Sequence, residues 1–286
     1  MSTLLKVAVQ KKGRLSEKSL ALLRDCGVSV SNGSQKLKAV ARNFPLEVLY
    51  LRDDDIPKYV AQGVADFGIV GQNVLVEKGA QVEMLRPLGF GRCRLSIAVP
   101  READYTGATW LSGRRIATSY PRLLTQWLTE QGVTAQVETI SGSVEIAPGI
   151  GLADAVCDLV STGSTLLMNG LKEVARIFDS EAVLIGNDSL DPERRSFAEQ
   201  LLFRMDAVQR ASDYKYILLN APNEQIETIT TLLPGMKSPS VLPLSMPGWS
   251  SLHSVVREQD FWQTIADLKA AGAEGILVCP IEKMIA

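Results

Sequence analysis

Apolar and polar positions follow one rhythm through the first two thirds of this chain and another after it. In the first part, short apolar runs of strand character alternate with segments whose apolar residues recur at three- and four-residue spacing, which predicts an α/β architecture with largely parallel sheets. Leu4 to Val9 reads as a strand, a helix capped by Ser16 runs to Cys26 and stops at Gly27, and Leu46 to Leu51 reads as the second strand. Asp54 or Asp55 can cap the next helix, with Pro57 in its first turn and Gly63 at its end; Phe67 to Val70 is a short buried strand feeding a helix from Asn73. After Arg94 to Val99 the pattern restarts with strand Arg115 to Thr118, helix Arg122 to Gln131 with Leu123, Leu124, Trp127 and Leu128 on one face, and strands Gln136 to Ile140 and Ala155 to Val160. The restart predicts a second α/β lobe.

Strands near Val174 to Phe178 and Ala182 to Ile185, then a helix with Phe197, Leu201, Met205 and Val208 on one stripe, carry the chain out of that lobe. The second rhythm begins at Tyr214: strand Tyr214 to Leu219, helix Asn223 to Leu233, strands near Ser240 to Leu244 and Leu252 to Val256, helix Asp260 to Ala271, and strand Gly275 to Cys279. This is β-α-β-β-α-β, a ferredoxin-like order that by itself says little about function.

Composition narrows the function classes. At 286 residues and 46% hydrophobic content the chain can bury the cores of about two domains. A net charge of −2 provides no general basic field, so nucleotides suit it better than nucleic acid. The four cysteines are widely spaced in or beside apolar runs and read as reduced and mostly buried, which suits the cytosol. With no long apolar span, signal peptide or lipidation motif, the expectation is a cytoplasmic protein with no membrane partner. The single histidine, His253, lies in an alternating segment far from the other candidate residues; it reads as structural or surface, and catalysis built on imidazoles is improbable.

The densest chemistry lies between Glu145 and Thr165. Ser161, Thr162, Gly163, Ser164 and Thr165 stand where strand Ala155 to Val160 gives way to an apparent helix start at Leu166. Small hydroxyl residues around a glycine let backbone N–H and side-chain O–H groups converge on one phosphate, and a following helix dipole favours its charge. Glu145 and Asp158 bracket the segment and can accept hydrogen bonds from sugar hydroxyls. The implied ligand is a phosphate joined to a ribose. The same run also reads as an ordinary polar loop with Asp158 as a helix cap. Elsewhere, Lys11, Lys12 and Arg14 surround Gly13 after the first strand, where an α/β cleft meets anions, and Arg92 follows two glycines that permit close backbone approach. Asp53, Asp54 and Asp55 read as capping groups before a helix, since consecutive residues rarely aim at one ion; no protein metal site is expected.

The wording E-I-A-P-x-x-G-L-A-D-x-V-x-D-L-V-S-T-G-x-T resembles the phosphoribosyl-pyrophosphate signature of the ATP phosphoribosyltransferases, the enzymes that open histidine biosynthesis. VAVQKKGRLS, LYLRDDDIPKYV, GVADFGIVGQNVL, GFGRCRLSIAVP, RRIATSYP and ILVCPIEKM continue the resemblance in family order along nearly the whole chain. It implies a two-lobed α/β catalytic region similar to type II periplasmic binding proteins, residues 1–93 with 181–210 forming one lobe and 94–180 the other, followed by a ferredoxin-like regulatory domain over 211–286. The implied reaction joins ATP to phosphoribosyl pyrophosphate through adenine N1 and ribose C1, with pyrophosphate leaving and Mg²⁺ carried by that pyrophosphate.

By the same resemblance Glu145 and Asp158 serve the ribose, Ser161 to Thr165 the 5-phosphate, and Lys12 and Arg52 nucleotide or pyrophosphate oxygens, with Arg14 a further candidate there; Arg92 reads as a triphosphate or base contact. Asn73 and Tyr120 match positions near the adenine nucleotide, although some members carry an acidic residue where this chain has Gln72 and Asn73. Histidine, as an inhibitor, is placed near Asn220, Met236, Ser240 and Ala273, and the family implies dimers assembling into hexamers. Two other readings stay open here: a two-lobed binding or regulatory protein without catalysis, and phosphoribosyl transfer to another base.

Overall fold

The turn after the first strand decides how the chain begins to fold. In a computed structural model, which describes residues 3–30, 37–187, 189–233, 235 and 238–285, β1 (Leu5–Gln10) runs into Gly13, whose φ of +98° suits glycine. Glu17 N–H donates to Gly13 O at 3.2 Å, so α1 (Arg14–Asp25) begins three residues earlier than a cap at Ser16 implies. Ser16 is therefore not the cap but a buried residue of the first turn. The chain continues through β2 (Lys38–Val40), β3 (Leu46–Leu51), α2 (Ile56–Ala61), β4 (Phe67–Gly71), α3 (Gln72–Lys78) and β5 (Glu83–Pro87). Asp55 occupies the position before α2 without a side-chain cap bond; Asp54 instead lies 3.4 Å from Lys78.

A second group follows: β6 (Cys93–Pro100), β7 (Arg115–Thr118), α4 (Pro121–Glu130), β8 (Gln136–Thr139), β9 (Ala155–Val160), α5 (Ser164–Met168) and β10 (Leu171–Ser180). β11 (Ala182–Gly186) then returns to the first sheet, whose order is β2-β3-β1-β4-β11-β5; the second is β10-β6-β9-β7-β8. Both sheets are mixed, which corrects the expectation of largely parallel ones. β1 is parallel to β3 and β4, and β7 to β8 and β9, but β11 is antiparallel to β4 and β5, and β6 to β9 and β10. The edge strand β2 is also antiparallel to β3; the other exceptions are the strands that carry the chain between sheets.

The second sheet is covered on both faces. Leu95, Ile97, Val99, Ile116 and Cys157 pack with Leu124 and Leu128 of α4, while Ala98, Ala117, Val156 and Val160 pack with Val144, Leu166 and Leu171. The first sheet has its own core around Ala8, Ile56, Val60, Val70 and Ile185. α5 begins at Ser164 and has five residues, so its dipole adds little to an anion site, contrary to the expected helix start at Leu166.

After α6 (Pro192–Ser212) come β12 (Tyr214–Pro222), α7 (Ile226–Leu232), β13 (Ser240–Pro243), β14 (Trp249–Arg257), α8 (Phe261–Ala270) and β15 (Glu274–Pro280), the expected β-α-β-β-α-β order. They form an antiparallel sheet, β13-β14-β12-β15, with Ile217, Leu219, Ala221 and Leu252 packed against Ile229 and Leu268 of the helices. On the other face His253 Nδ1 sits 2.6 Å from the Tyr216 hydroxyl, consistent with a structural or surface histidine. The described residues divide into two compact units, one within 1–21 and 28–197, the other within 22–27 and 198–286. Cys26 and Cys157 are buried, but Cys279 is exposed because β15 is an edge strand. Among the described residues no helix is long and apolar enough to cross a membrane.

Candidate active site

β9 is apolar because both sheet faces are covered, which makes its one carboxylate conspicuous. Asp158 pairs with Ser96 of β6 in the interior of the strand, so it caps no helix. Its Oδ1 accepts the N–H of Leu159 at 2.8 Å. Burial raises the carboxyl to about 6; the Leu159 hydrogen bond opposes the rise and the charge of Glu145 adds to it. Glu145 reaches the same place from a short 3₁₀ turn, Val144–Ile146, which Ser143 enters at φ +51°.

The loop after β9 closes around these two acids. Gly163 adopts φ +82°, Thr162 Oγ1 and Ser164 Oγ are 3.0 Å apart, and Leu167 N–H donates to Gly163 O at 3.2 Å. A concavity of about 250 Å³ results, lined by Glu145, Asp158, all of Ser161 to Thr165, and Arg14 from the start of α1. Two acids and one cation beside a ring of small hydroxyls match what a phosphorylated sugar requires.

Arg14, Leu159 and Ser161 also line a neighbouring cavity of about 530 Å³ with Asn73, Arg92 and Tyr120. Its walls come from both sheets of the first unit, joined by a buried hydrogen-bond chain. Asn73 N–H donates to Ser180 Oγ at 3.0 Å, Ser180 Oγ donates to Asn73 Oδ1 at 2.8 Å, and Asn73 Nδ2 donates to the Tyr120 hydroxyl at 3.0 Å. Burial raises the Tyr120 phenol, and the charges of Asp158 and Asp53 raise it further. A second link lies close by: the Glu77 carboxylate of α3 accepts the N–H groups of Arg122 and Leu123, at 2.9 and 3.0 Å, capping α4 from another helix.

Not every predicted residue joins these cavities. Lys12 is exposed and lines neither, and Arg52 lines a separate cavity of about 570 Å³ with Asp54, Lys58 and Lys78. Arg92 pairs loosely with Glu181, 3.9 Å away. The larger cavity also presents Gln10, Lys18, Asp53 and Cys93, which the sequence reading passed over as binding residues. Lys18 carried a usable signal, since it stands four residues after Arg14 on one helix. Asp53 was read as a capping group; burial and then the charge of Asp54 raise its carboxyl.

In the second unit Asn220 lies on β12 opposite Glu274, while Ser240 lies on β13 opposite His253 with β14 between them. Ala273 is part of the domain's core, and Met236 lies outside the described residues.

Residues 52–207 match the family described as ATP phosphoribosyltransferase, and residues 211–283 match the C-terminal domain of the same family. A Cytophaga hutchinsonii protein named ATP phosphoribosyltransferase is 58% identical over 285 residues, covering 100% of both chains. The chain belongs to the ATP phosphoribosyltransferase family. A Bacteroides fragilis protein of that name is 54% identical over 282 residues, covering 99% of this chain and 100% of its own. Among solved structures, the ATP phosphoribosyl transferase (HisG:HisZ) complex from Thermotoga maritima matches with a TM-score of 0.60 and 29% identity, over 71% of this chain and 99% of that one. As an ATP phosphoribosyltransferase the chain condenses ATP with 5-phosphoribosyl 1-pyrophosphate in the first step of histidine biosynthesis, so the readings without catalysis or with another base give way. The family's C-terminal domain follows the catalytic region, making this a long-form member.

Proposed function

We propose that the two joined cavities divide the substrates between them, phosphoribosyl pyrophosphate in the smaller and ATP in the larger. The observation that carries this reading is the convergence of Glu145, Asp158, Arg14 and the whole Ser161 to Thr165 loop on one concavity that shares a wall with the larger one. Transfer of the ribosyl group develops positive charge at C1 and negative charge on the departing pyrophosphate. Carboxylates beside the ribose and cations toward the cavity mouth stabilise both. Adenine N1 carries its lone pair at neutral pH and needs no strong base, which suits a chain with one distant histidine. Asn73 and Tyr120 face the nucleotide, and Arg14 and Arg92 face its phosphates or the leaving pyrophosphate, which brings Mg²⁺ with it; that ion tends to keep waters and bind through phosphates. Lys12 and Arg52 receive no substrate contact in this reading.

The test is Gly163→Val, with each substrate titrated separately by calorimetry. A β-branched residue at φ +82° is strained and crowds the approach of a phosphate. Affinity for phosphoribosyl pyrophosphate should fall roughly a hundredfold while ATP affinity holds. Unchanged affinity for phosphoribosyl pyrophosphate in the folded variant removes the loop from the site.

Residues 1–93 with 181–210 and residues 94–180 are assigned to two catalytic lobes, and 211–286 to a domain that binds histidine and lowers activity, in a cytoplasmic homo-oligomer of dimers and hexamers. The match of residues 211–283 to the family's C-terminal domain supports the regulatory part. Asn220, Ser240, Ala273 and Met236 are its proposed contacts, none of them in the phosphate loop, so histidine acts by its differential affinity for two arrangements of the protein. Ser240→Trp fills the proposed pocket at an exposed strand position and should abolish inhibition with basal activity kept. Inhibition by histidine at unchanged potency in that variant rules out the site.

A further inference from the structure

We propose that Arg94 and Glu173, both outside the phosphoribosyl signature, are positioning residues for the phosphate loop: Arg94 holds the Ser161 carbonyl and thereby aims the Thr162 N–H at the substrate phosphate. The inference rests on reading Ser161 to Thr165 as the 5-phosphate site.

Arg94 stands on β6 opposite Val160, the last residue of β9, so the loop leaves its strand beside the Arg94 side chain. Glu173 of β10 grips that guanidinium with both oxygens: Nε donates to Oε1 at 2.6 Å and Nη2 to Oε2 at 2.5 Å. Ser96, buried on the same strand as Arg94, donates its hydroxyl to Oε1 at 2.8 Å. A fork held at two points has a fixed plane, which a lysine in its place would lack. The remaining nitrogen, Nη1, donates to the Ser161 carbonyl at 3.2 Å.

Peptide planarity carries this bond into the site. In a trans peptide the carbonyl of one residue and the N–H of the next point in opposite directions. With the Ser161 carbonyl tied to Arg94, the Thr162 N–H faces away from Arg94. Thr162 lines the smaller cavity and Arg94 is not among its lining residues, so the far side of that peptide is the ligand side. Glu173 also keeps the guanidinium from serving as a rival anion site.

The test compares Michaelis constants for the two substrates in Arg94→Met. The constant for phosphoribosyl pyrophosphate should rise about tenfold, with that for ATP changing less than about twofold. Glu173→Gln, which loosens the fork but keeps Arg94, should show a smaller rise in the same constant, and Arg94→Lys should restore only part of the loss. Both constants rising together, the mark of a general structural loss, overturns the proposal, as does an unchanged constant for phosphoribosyl pyrophosphate in the folded variant. If Arg94→Met does not fold, the uncharged pair Arg94→Gln with Glu173→Gln takes its place under the same criteria. Gly163→Val, assayed alongside, separates the two ideas. If it loses phosphoribosyl pyrophosphate while the Arg94 variants do not, only the positioning role fails; if it keeps that substrate, the loop assignment fails first.

Discussion

Of the residues lining the smaller cavity all but Arg14 come from the stretch 145–166, whereas the larger cavity draws on residues 10–18, 53, 71–74, 91–93, 120, 159–161 and 182. One is an excursion of a single strand and its loop, fixed by the backbone of the second sheet. The other exists only where two sheets face each other, and the chain passes between those sheets just after Pro87 and again at Glu181. Damage to the first should therefore be local and chemical. Damage to the second should follow anything that alters the placement of one sheet against the other, even at residues that touch no substrate.

The largest expected effect sharpens the local half of this comparison. Asp158→Asn keeps the shape of the side chain but removes charge-assisted hydrogen bonds worth roughly 1.5–3 kcal/mol each. Turnover should fall about ten- to a hundredfold, with the ATP constant unchanged. The pH profile supplies a second reading. The Asp158 carboxyl is raised to about 6, chiefly by burial, so kcat/KM for phosphoribosyl pyrophosphate should climb as pH rises through that value and the carboxylate forms. Stability has the opposite sign. An acid whose pKa is higher folded than unfolded favours the folded state when protonated, and that contribution is lost as pH rises from about 4 through about 6. The substrate's own phosphate also titrates near 6, so the decisive observation is which part of the limb disappears in Asp158→Asn. A profile identical to wild type leaves the limb to the substrate and removes Asp158 from the chemistry.

This asymmetry also explains what could be read in the sequence. The loop Ser161 to Thr165, β9 and both carboxylates were legible because they are consecutive or nearly so, and the elements of the C-terminal domain were legible because its strands and helices each turn an apolar face to the domain's own core. The mixed strand directions were not, since nothing local in Ala182 to Gly186 tells that it inserts between β4 and β5. β2 and β5 were missed: they are short edge strands, largely exposed, and carry no apolar run. Asp158 read equally well as a helix cap until β6 appeared beside it. The actual cap of α4 comes from Glu77, 45 and 46 residues away from its partners, and no pattern around Pro121 announces it.

Glu77 gives the next effect in size and tests the other half. It joins α3 of the first sheet to the N-terminus of α4 on the second, and Arg122 lies so close over Gly79 that a side chain there would collide with it. Glu77→Ala removes both cap bonds, a loss of about 1 kcal/mol and a melting temperature lower by about 2–4 °C. If the larger cavity depends on this junction, the ATP constant should rise about fivefold, the equivalent of that same kilocalorie, while phosphoribosyl pyrophosphate is bound as before. Lower stability with both constants unchanged would confine Glu77 to holding the helix.

The smallest effect belongs to Tyr120, where the comparison is most exposed to being wrong. Its hydroxyl ends the chain from Ser180 through Asn73, which assigns it to the larger cavity, yet the charge of Asp158 contributes to raising its phenol, which ties it to the smaller one. Tyr120→Phe keeps the ring and leaves the Asn73 amide without that acceptor, a net change of about 1 kcal/mol. The ATP constant should rise about two- to fivefold. Pairing this change with Asp158→Asn then measures whether the two regions act separately. Independent sites give effects on kcat/KM that add within about 0.5 kcal/mol. A larger coupling, with Tyr120→Phe alone also weakening phosphoribosyl pyrophosphate, would mean that the wall between the cavities is shared chemistry rather than shared surface. The local site would then depend on the placement of the sheets as much as its neighbour does.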